Sequence, residues 1–229
     1  PIVTAESPIA LARMVRFQQS FGYSGKNFFL SPFPVDEQVF DVIAPLSARK
    51  NRIISVARWS AHQKNLPLLL RTLDGFLNTN PTWDAVLPGS LPAGHGRLMK
   101  RYCPQTSGRI QMTGPLPNRE VSRQLAESKI YLTTSRHEGF SISVAEALCS
   151  GCSLVGPHHI PGTTWCCGSN SGTVATLYTK NGFLDALSAE AREWAEGNRS
   201  PETIAATWQA RVGSKYVAGQ MITLLEQLG

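Results

Sequence analysis

Between residues 52 and 157, compact apolar runs alternate with stretches of helical period, and that alternation leaves few ways to fold. "RIISVA" (52–57), "TWDAVLPG" (82–89), "RIQMTG" (109–114), "KIYLTTS" (129–135) and "CSLVGP" (152–157) read as strands. The first is β-branched throughout its centre, which predicts burial on both faces. Between them lie "NLPLLLRTLDGFLNTN" with Asn65 as its cap, a weaker helix at 95–103, "REVSRQLAES", and "FSISVAEALCSG" closed by Gly151. Such alternation predicts a Rossmann-like α/β fold, a parallel sheet with helices on both faces.

The flanks are simpler. "PIVTAES" reads as a short strand, followed by a helix from Pro8 to about Phe21 with Ser7 as N-cap and Gly22 as the stop. "NFFLSPF" is a further strand, and "PFPVDEQVFDVIAPLSARKN" has no clear period and reads as a crossing linker. From about Asn181 the tail is helical, in three segments whose Trp and Phe residues read as core. The chain starts at Pro1 and shows no targeting segment, so it reads as a piece of something longer.

Charge divides the chain. Residues 1–115 hold 13 Lys/Arg against 6 Asp/Glu, and residues 116–229 hold 9 against 10. A basic half calls for an anionic partner: a phosphate-bearing small molecule, an anionic membrane surface at which the protein would sit peripherally, or nucleic acid. The basic residues are scattered and accompany no recognition helix or stacking aromatics, which argues against nucleic acid. From Glu146 to Lys180 no charged residue intervenes, yet Gly, Ser, Pro and His158-His159 interrupt the run, so it does not read as a membrane span. Cys149 and Cys152 form a C-x-x-C, and Cys166 and Cys167 are adjacent. Residue type allows zinc; the spacing favours small buried thiols in a cytoplasmic protein.

In an open parallel sheet, ligands bind beyond the carboxyl ends of the strands. The residues of interest fall on those loops. Arg58 and Lys64 follow the first strand of the alternating region, and Glu138 and Gly139 follow "KIYLTTS". Gly139 keeps side chains clear of a ligand, and the N–H groups of Ser141 and Ile142 at the next helix start can hold an anion. With Arg58 as a fork and Lys64 as a point charge, these groups make a diphosphate site. Glu146 lies roughly 7 Å along that helix, where its carboxylate can accept from a ribose diol. Glu138, on the other side of the phosphates, can accept from a second sugar. Read singly, Arg58 and Lys64 are a solvated turn, Glu146 a surface helix residue and Glu138 a cap; on consecutive loops they form a site. His62, His137, His158 and His159 read as structural.

"ISVARWSAHQKNLPLLL", "GPLPNREVSRQLAESKIYLTTSRHEGFSISVAEALCSGCSLVG" and "HIPG" together resemble the C-terminal, donor-binding domain of a GT-B glycosyltransferase of the retaining group 1 class, family 4. "SPFPVDEQVF" is similar to that family's linker. The resemblance implies a tail end of an N-terminal domain at 1–30, a linker at 31–50, a nucleotide-sugar-binding domain at 51–180 and C-terminal helices at 181–229. It implies that Arg58 and Lys64 bind the donor pyrophosphate and stabilise the departing nucleotide, and that Glu138 contacts the donor sugar, these three being the catalytic set. Glu146 would hold the ribose, Leu116 would meet the base, and Gly139, Phe140, Ser141 and Ile142 would form the phosphate loop. No metal or cofactor is implied, the nucleotide-diphospho-sugar being a substrate, and no Asp-x-Asp occurs. The acceptor would be a glycan, lipid or protein met through the N-terminal domain, so the isolated fragment is expected to be inactive or weakly active. Three residues depart from the family pattern: Ala57 and Ser141 stand at usual glycines, and Gly162 at a usual glutamate. A non-catalytic nucleotide- or glycan-binding module, or a sugar-nucleotide epimerase, are the alternative functions.

Overall fold

The computed structural model describes residues 3–24, 28–40 and 43–228. Parts of the expected linker (41–42) and of the segments on either side of Gly25 lie outside the described residues. The chain opens with β1 (Val3–Ala5), α1 (Pro8–Gln19) and β2 (Phe28–Leu30). The two strands pair in parallel, with Val3 opposite Phe28. Ser7 caps α1 as expected, its Oγ accepting the Ala10 N–H at 3.2 Å, and Gly22 follows the helix at φ 83°.

The alternating region then unrolls as β3 (Lys50–Ile54), α2 (Leu66–Thr79), β4 (Asp84–Pro88), α3 (His95–Tyr102), β5 (Ile110–Gly114), α4 (Asn118–Glu127), β6 (Ser128–Leu132), α5 (Ile142–Cys149) and β7 (Ser153–Pro157). α6 (Pro161–Cys166), β8 (Gly172–Ala175), α7 (Lys180–Ala195), α8 (Pro201–Val212) and α9 (Ser214–Leu228) complete it. The large sheet has the order β5-β4-β3-β6-β7-β8, and every pair is parallel. Helices α2, α3 and α7 pack together on one face, and α4, α5 and α8 on the other. The α/β reading therefore holds, and the order reverses between β3 and β6, where a ligand crevice opens.

Burial explains these choices. Ile53, Ile54, Val86, Leu87, Ile130, Leu132, Leu154 and Val155 are essentially inaccessible, so the central strands are covered on both faces. α2 turns Leu66, Leu69, Leu70, Leu73, Phe76 and Leu77 inward; each such leucine contributes about 1.5–3 kcal/mol by leaving water. Asn65 precedes α2 but does not cap it. It sits in the left-handed region at φ 52° and gives its amide to the Tyr178 hydroxyl instead. β8 has no strand signature: "GTVA" is short and two of its residues are small. It forms because β7 offers a free edge and because the Thr173 hydroxyl donates to Glu190 at 2.6 Å.

Glu190 and Arg199 bind the C-terminal helices to that edge. Glu190 is 0% exposed and Arg199 6%. The guanidinium donates to both carboxylate oxygens at 2.7 and 2.9 Å, and to Asn170 Oδ1 at 2.8 Å. Trp194, Trp208 and Phe183 are buried beside them, as the sequence predicts. Arg199→Ala would leave a buried carboxylate facing only the Thr173 hydroxyl, and should lower unfolding free energy by about 3–5 kcal/mol in urea titrations.

Candidate functional site

The reversal of strand order leaves the carboxyl ends of β3 and β6 side by side with no crossover above them. After β3 the backbone stays extended beside β4 through Ala57, whose N–H reaches the Pro88 carbonyl at 3.2 Å. The approach is so close that a Cβ on Gly89 would lie 1.8 Å from the Ala57 oxygen, and Gly89 has φ 129°. Only glycine fits there. Beneath the junction stands Tyr131, 2% exposed. Its hydroxyl lies 3.1 Å from the Val56 carbonyl and 2.8 Å from Ser143 Oγ, and accepts the Val56 N–H at 3.3 Å. Burial pushes its phenol well above the usual range, so it stays protonated and ties the end of β3 to the start of α5. Sequence reasoning missed this residue; its signal was a tyrosine followed by Thr133, Thr134 and Ser135, polar groups in an otherwise apolar buried strand.

The loops are stitched together. The Arg136 N–H donates to the Gln63 carbonyl at 2.8 Å, and the Gln63 amide to the His137 carbonyl at 2.7 Å. Thr134 Oγ1 donates to the Lys64 carbonyl at 3.1 Å. His159 Nε2 lies 2.8 Å from the Arg136 carbonyl, and His158 Nδ1 lies 3.1 Å from that of Ala175. Both histidines hold loops. These contacts bring the β3 and β6 loops into one wall, on which Lys64 meets Glu138.

Lys64 Nζ lies 2.5 Å from Glu138 Oε1, with both side chains largely sheltered, 19% and 13% exposed. Ser135 Oγ donates to the same oxygen at 2.8 Å. Glu138, Gly139, Phe140 and Ser141 surround a small cavity with Thr133, Gly162 and Thr163. Ser141 and Thr133 also line the next one, with Lys64, Ser55 and Tyr131. Val56 connects that space to a cavity of about 220 Å³ lined by Pro88, Gly89, Leu116 and Glu146. So Lys64, Glu138, Gly139, Phe140, Ser141, Glu146 and Leu116 lie along one groove. A larger cavity of about 560 Å³ lies between β2 and α9 and shares no lining residue with the groove.

Two residues sit differently. Arg58 is exposed, between Ala57 of the groove and the buried Trp59. Its guanidinium makes no ion pair or side-chain hydrogen bond among the described residues. Ile142 is the first residue of α5, is 50% exposed, and lines none of these cavities. The helix starts there, with Ser141 as N-cap position, so Gly139 belongs to the preceding turn. The first N–H groups of α5 are not taken up within the helix.

All five cysteines are free and buried, and burial pushes the Cys149 thiol up to about 12 and that of Cys152 to about 11. They stay protonated and packed, and Cys152 Sγ donates to the Leu125 carbonyl at 3.1 Å.

Chemically, the groove offers a cation and free amides to an anion, with carboxylates on both sides able to accept hydroxyls. Glu146 is half-buried, and its carboxylate makes no hydrogen bond or ion pair among the described residues. Burial raises its pKa. Its ionised form therefore weighs on the folded state at pH values above the unfolded carboxyl pKa, and the penalty is absent below it. Glu146→Gln should raise the melting temperature at pH 7, by about 2 °C, and the difference should vanish at pH 4, read by calorimetric scans.

The profile of the glycosyl transferases group 1 family matches residues 50–190. A comparison with curated protein sequences gives no match. Among solved structures, sucrose-phosphate synthase from Thermosynechococcus elongatus superposes with a TM-score of 0.75 at 17% identity, over 99% of this chain and 58% of that one. The lipopolysaccharide outer core galactosyltransferase WaaB gives 0.71 at 16%, over 99% and 62%. HepE from Anabaena, solved with UDP and glucose, gives 0.69 at 16%, over 98% and 62%. The chain thus spans about three fifths of the length of these structures, and shares their fold. The family profile covers more than half of the chain, including the crevice, so the chain belongs to the group 1 glycosyl transferases.

Proposed function

We propose that the groove binds a UDP-hexose and that the chain is the donor-binding part of a retaining, metal-independent family 4 glycosyltransferase. The observation that carries this reading is Glu146: a half-buried carboxylate with no hydrogen bond or ion pair among the described residues, in the same cavity as Leu116. A carboxylate left so is unfavourable unless a ligand donates to it, and the vicinal hydroxyls of a ribose are suitable donors. The base then lies against Leu116 and Pro115, and the diphosphate beside the start of α5. The choice of uridine is supported by HepE having been solved with UDP and glucose.

In this reading Lys64 and the α5 amides stabilise the charge that develops on the departing nucleotide, and no metal or cofactor is needed for that step. Arg58, exposed and without an ion pair among the described residues, turns in to join them. Glu138 accepts from the transferred sugar. The acceptor is a glycan, lipid or protein, in keeping with a role in polysaccharide or glycoconjugate synthesis, and it is met through a preceding domain. Among the described residues no helix is long and apolar enough to cross a membrane. A cytoplasmic protein whose basic half leans on an anionic membrane surface fits the charge distribution.

Titrating UDP by calorimetry tests the proposal. The wild type should bind, and Arg58→Ala combined with Lys64→Ala should weaken binding at least about 30-fold, at about 1–3 kcal/mol per charged contact. No binding by the wild type, or an unaffected double variant, overturns it. Glu138→Gln should act in the opposite direction on UDP itself. Lys64 is engaged by Glu138, so removing that charge should raise UDP affinity severalfold, measured in the same titration.

A further inference from the structure

One carboxylate from outside the large sheet abuts Gly139, a residue of the groove. Glu6 lies at the end of β1, on the small β1–α1–β2 unit, and is half-buried. A Cβ built on Gly139 would come within 2.4 Å of Glu6 Oε1 and 3.6 Å of its Cδ, so the carboxylate rests directly against this glycine. It makes no hydrogen bond or ion pair among the described residues. Capping of α1 does not need it, because Ser7 already accepts the Ala10 N–H.

The surroundings define what it can bind. Glu138, the residue before Gly139, is paired with Lys64. Gly162 borders the same spot, where an added Cβ would sit 3.3 Å from the Gly139 carbonyl and 3.4 Å from the Phe140 ring. Gly139 and Gly162 therefore add no side chain to this part of the groove. An acceptor-only group at such a place attracts hydroxyl donors and repels phosphate.

We infer that Glu6 is a sugar-recognising residue: its carboxylate accepts hydrogen bonds from hydroxyls of the hexosyl group carried on the diphosphate, opposite Glu138. This rests on the donor-site reading above and adds a residue that neither the alternating sheet nor the family profile, which begins at residue 50, contains. Glu6 thereby makes sugar selection depend on how the small unit sits against the large sheet.

The test compares UDP with UDP-glucose, UDP-galactose and UDP-N-acetylglucosamine by calorimetry, on the wild type, Glu6→Ala and Glu6→Gln. The wild type should bind at least one UDP-sugar more tightly than UDP. Glu6→Ala should weaken that UDP-sugar about tenfold, as for a hydrogen bond to a charged group, while UDP binds as well as before or better. Glu6→Gln keeps an acceptor and the shape, and should lose less. A Glu6→Ala variant that weakens UDP and UDP-sugar equally, or neither, overturns the role of Glu6 and leaves the donor site standing. So does a wild type that binds UDP but no UDP-sugar more tightly. A wild type that binds no UDP overturns both.

Discussion

The structure depends on one topological constraint: a parallel sheet whose order reverses must leave two strand ends uncovered. β3 pairs with β4 on one side and β6 on the other, and the crossovers depart in opposite directions from that seam. Backbone amides and polar side chains at β3 and β6 therefore face an opening that no helix fills. The rest of the site follows from how the seam is held. Tyr131 ties the two sides from below, Gly89 lets β3 and β4 run almost in contact, and the loop-to-loop hydrogen bonds above align Lys64 with Glu138.

Two kinds of buried charge coexist in this chain. Glu190 and Arg199 are fully matched, with a bidentate fork and further bonds to Thr173 and Asn170. That arrangement fixes geometry and leaves nothing for a ligand. Along the groove the matching is incomplete: Lys64 and Glu138 satisfy each other, while the side chains of Glu146, Glu6 and Arg58 have no ion pair or hydrogen bond among the described residues. A folded chain tolerates such groups at a cost in stability, and the cost is recovered only when something donates to the carboxylates and accepts from the cations. Of the charges around the crevice only Lys64 and Glu138 are matched, while the Glu190–Arg199 pair belongs to the scaffold.

Much of this was legible in the residues. The strands and helices of the alternating region and the three C-terminal helices follow from apolar spacing, because burial on a sheet or one helix face imposes period 2 or 3.6 locally. That Lys64 and Glu138 share one edge, with Glu146 in the helix that follows, was legible because loop position after a strand is a sequence property and the topology sends all such loops to one edge. What was less legible depended on partners far along the chain. Asn65 has the composition of a cap, yet its side chain answers to Tyr178, more than a hundred residues on. β8 is a strand because β7 has an open edge, and its own residues give no hint of it. Tyr131 reads as one more apolar strand residue until Val56 and Ser143 are set around it.

The sequence by itself determined the fold class and the set of chemically capable loops, since alternation and residue type are local and their consequences for burial are fixed. Only the tertiary structure decided which of those groups are spent on each other and which remain open. Lys64 closes on Glu138, Glu146 is left unpaired beside Leu116, and Glu6 is carried across to Gly139 from a separate unit. Pairing is a matter of distance in space, and no pattern along the chain encodes which of several equally spaced charges will come within reach.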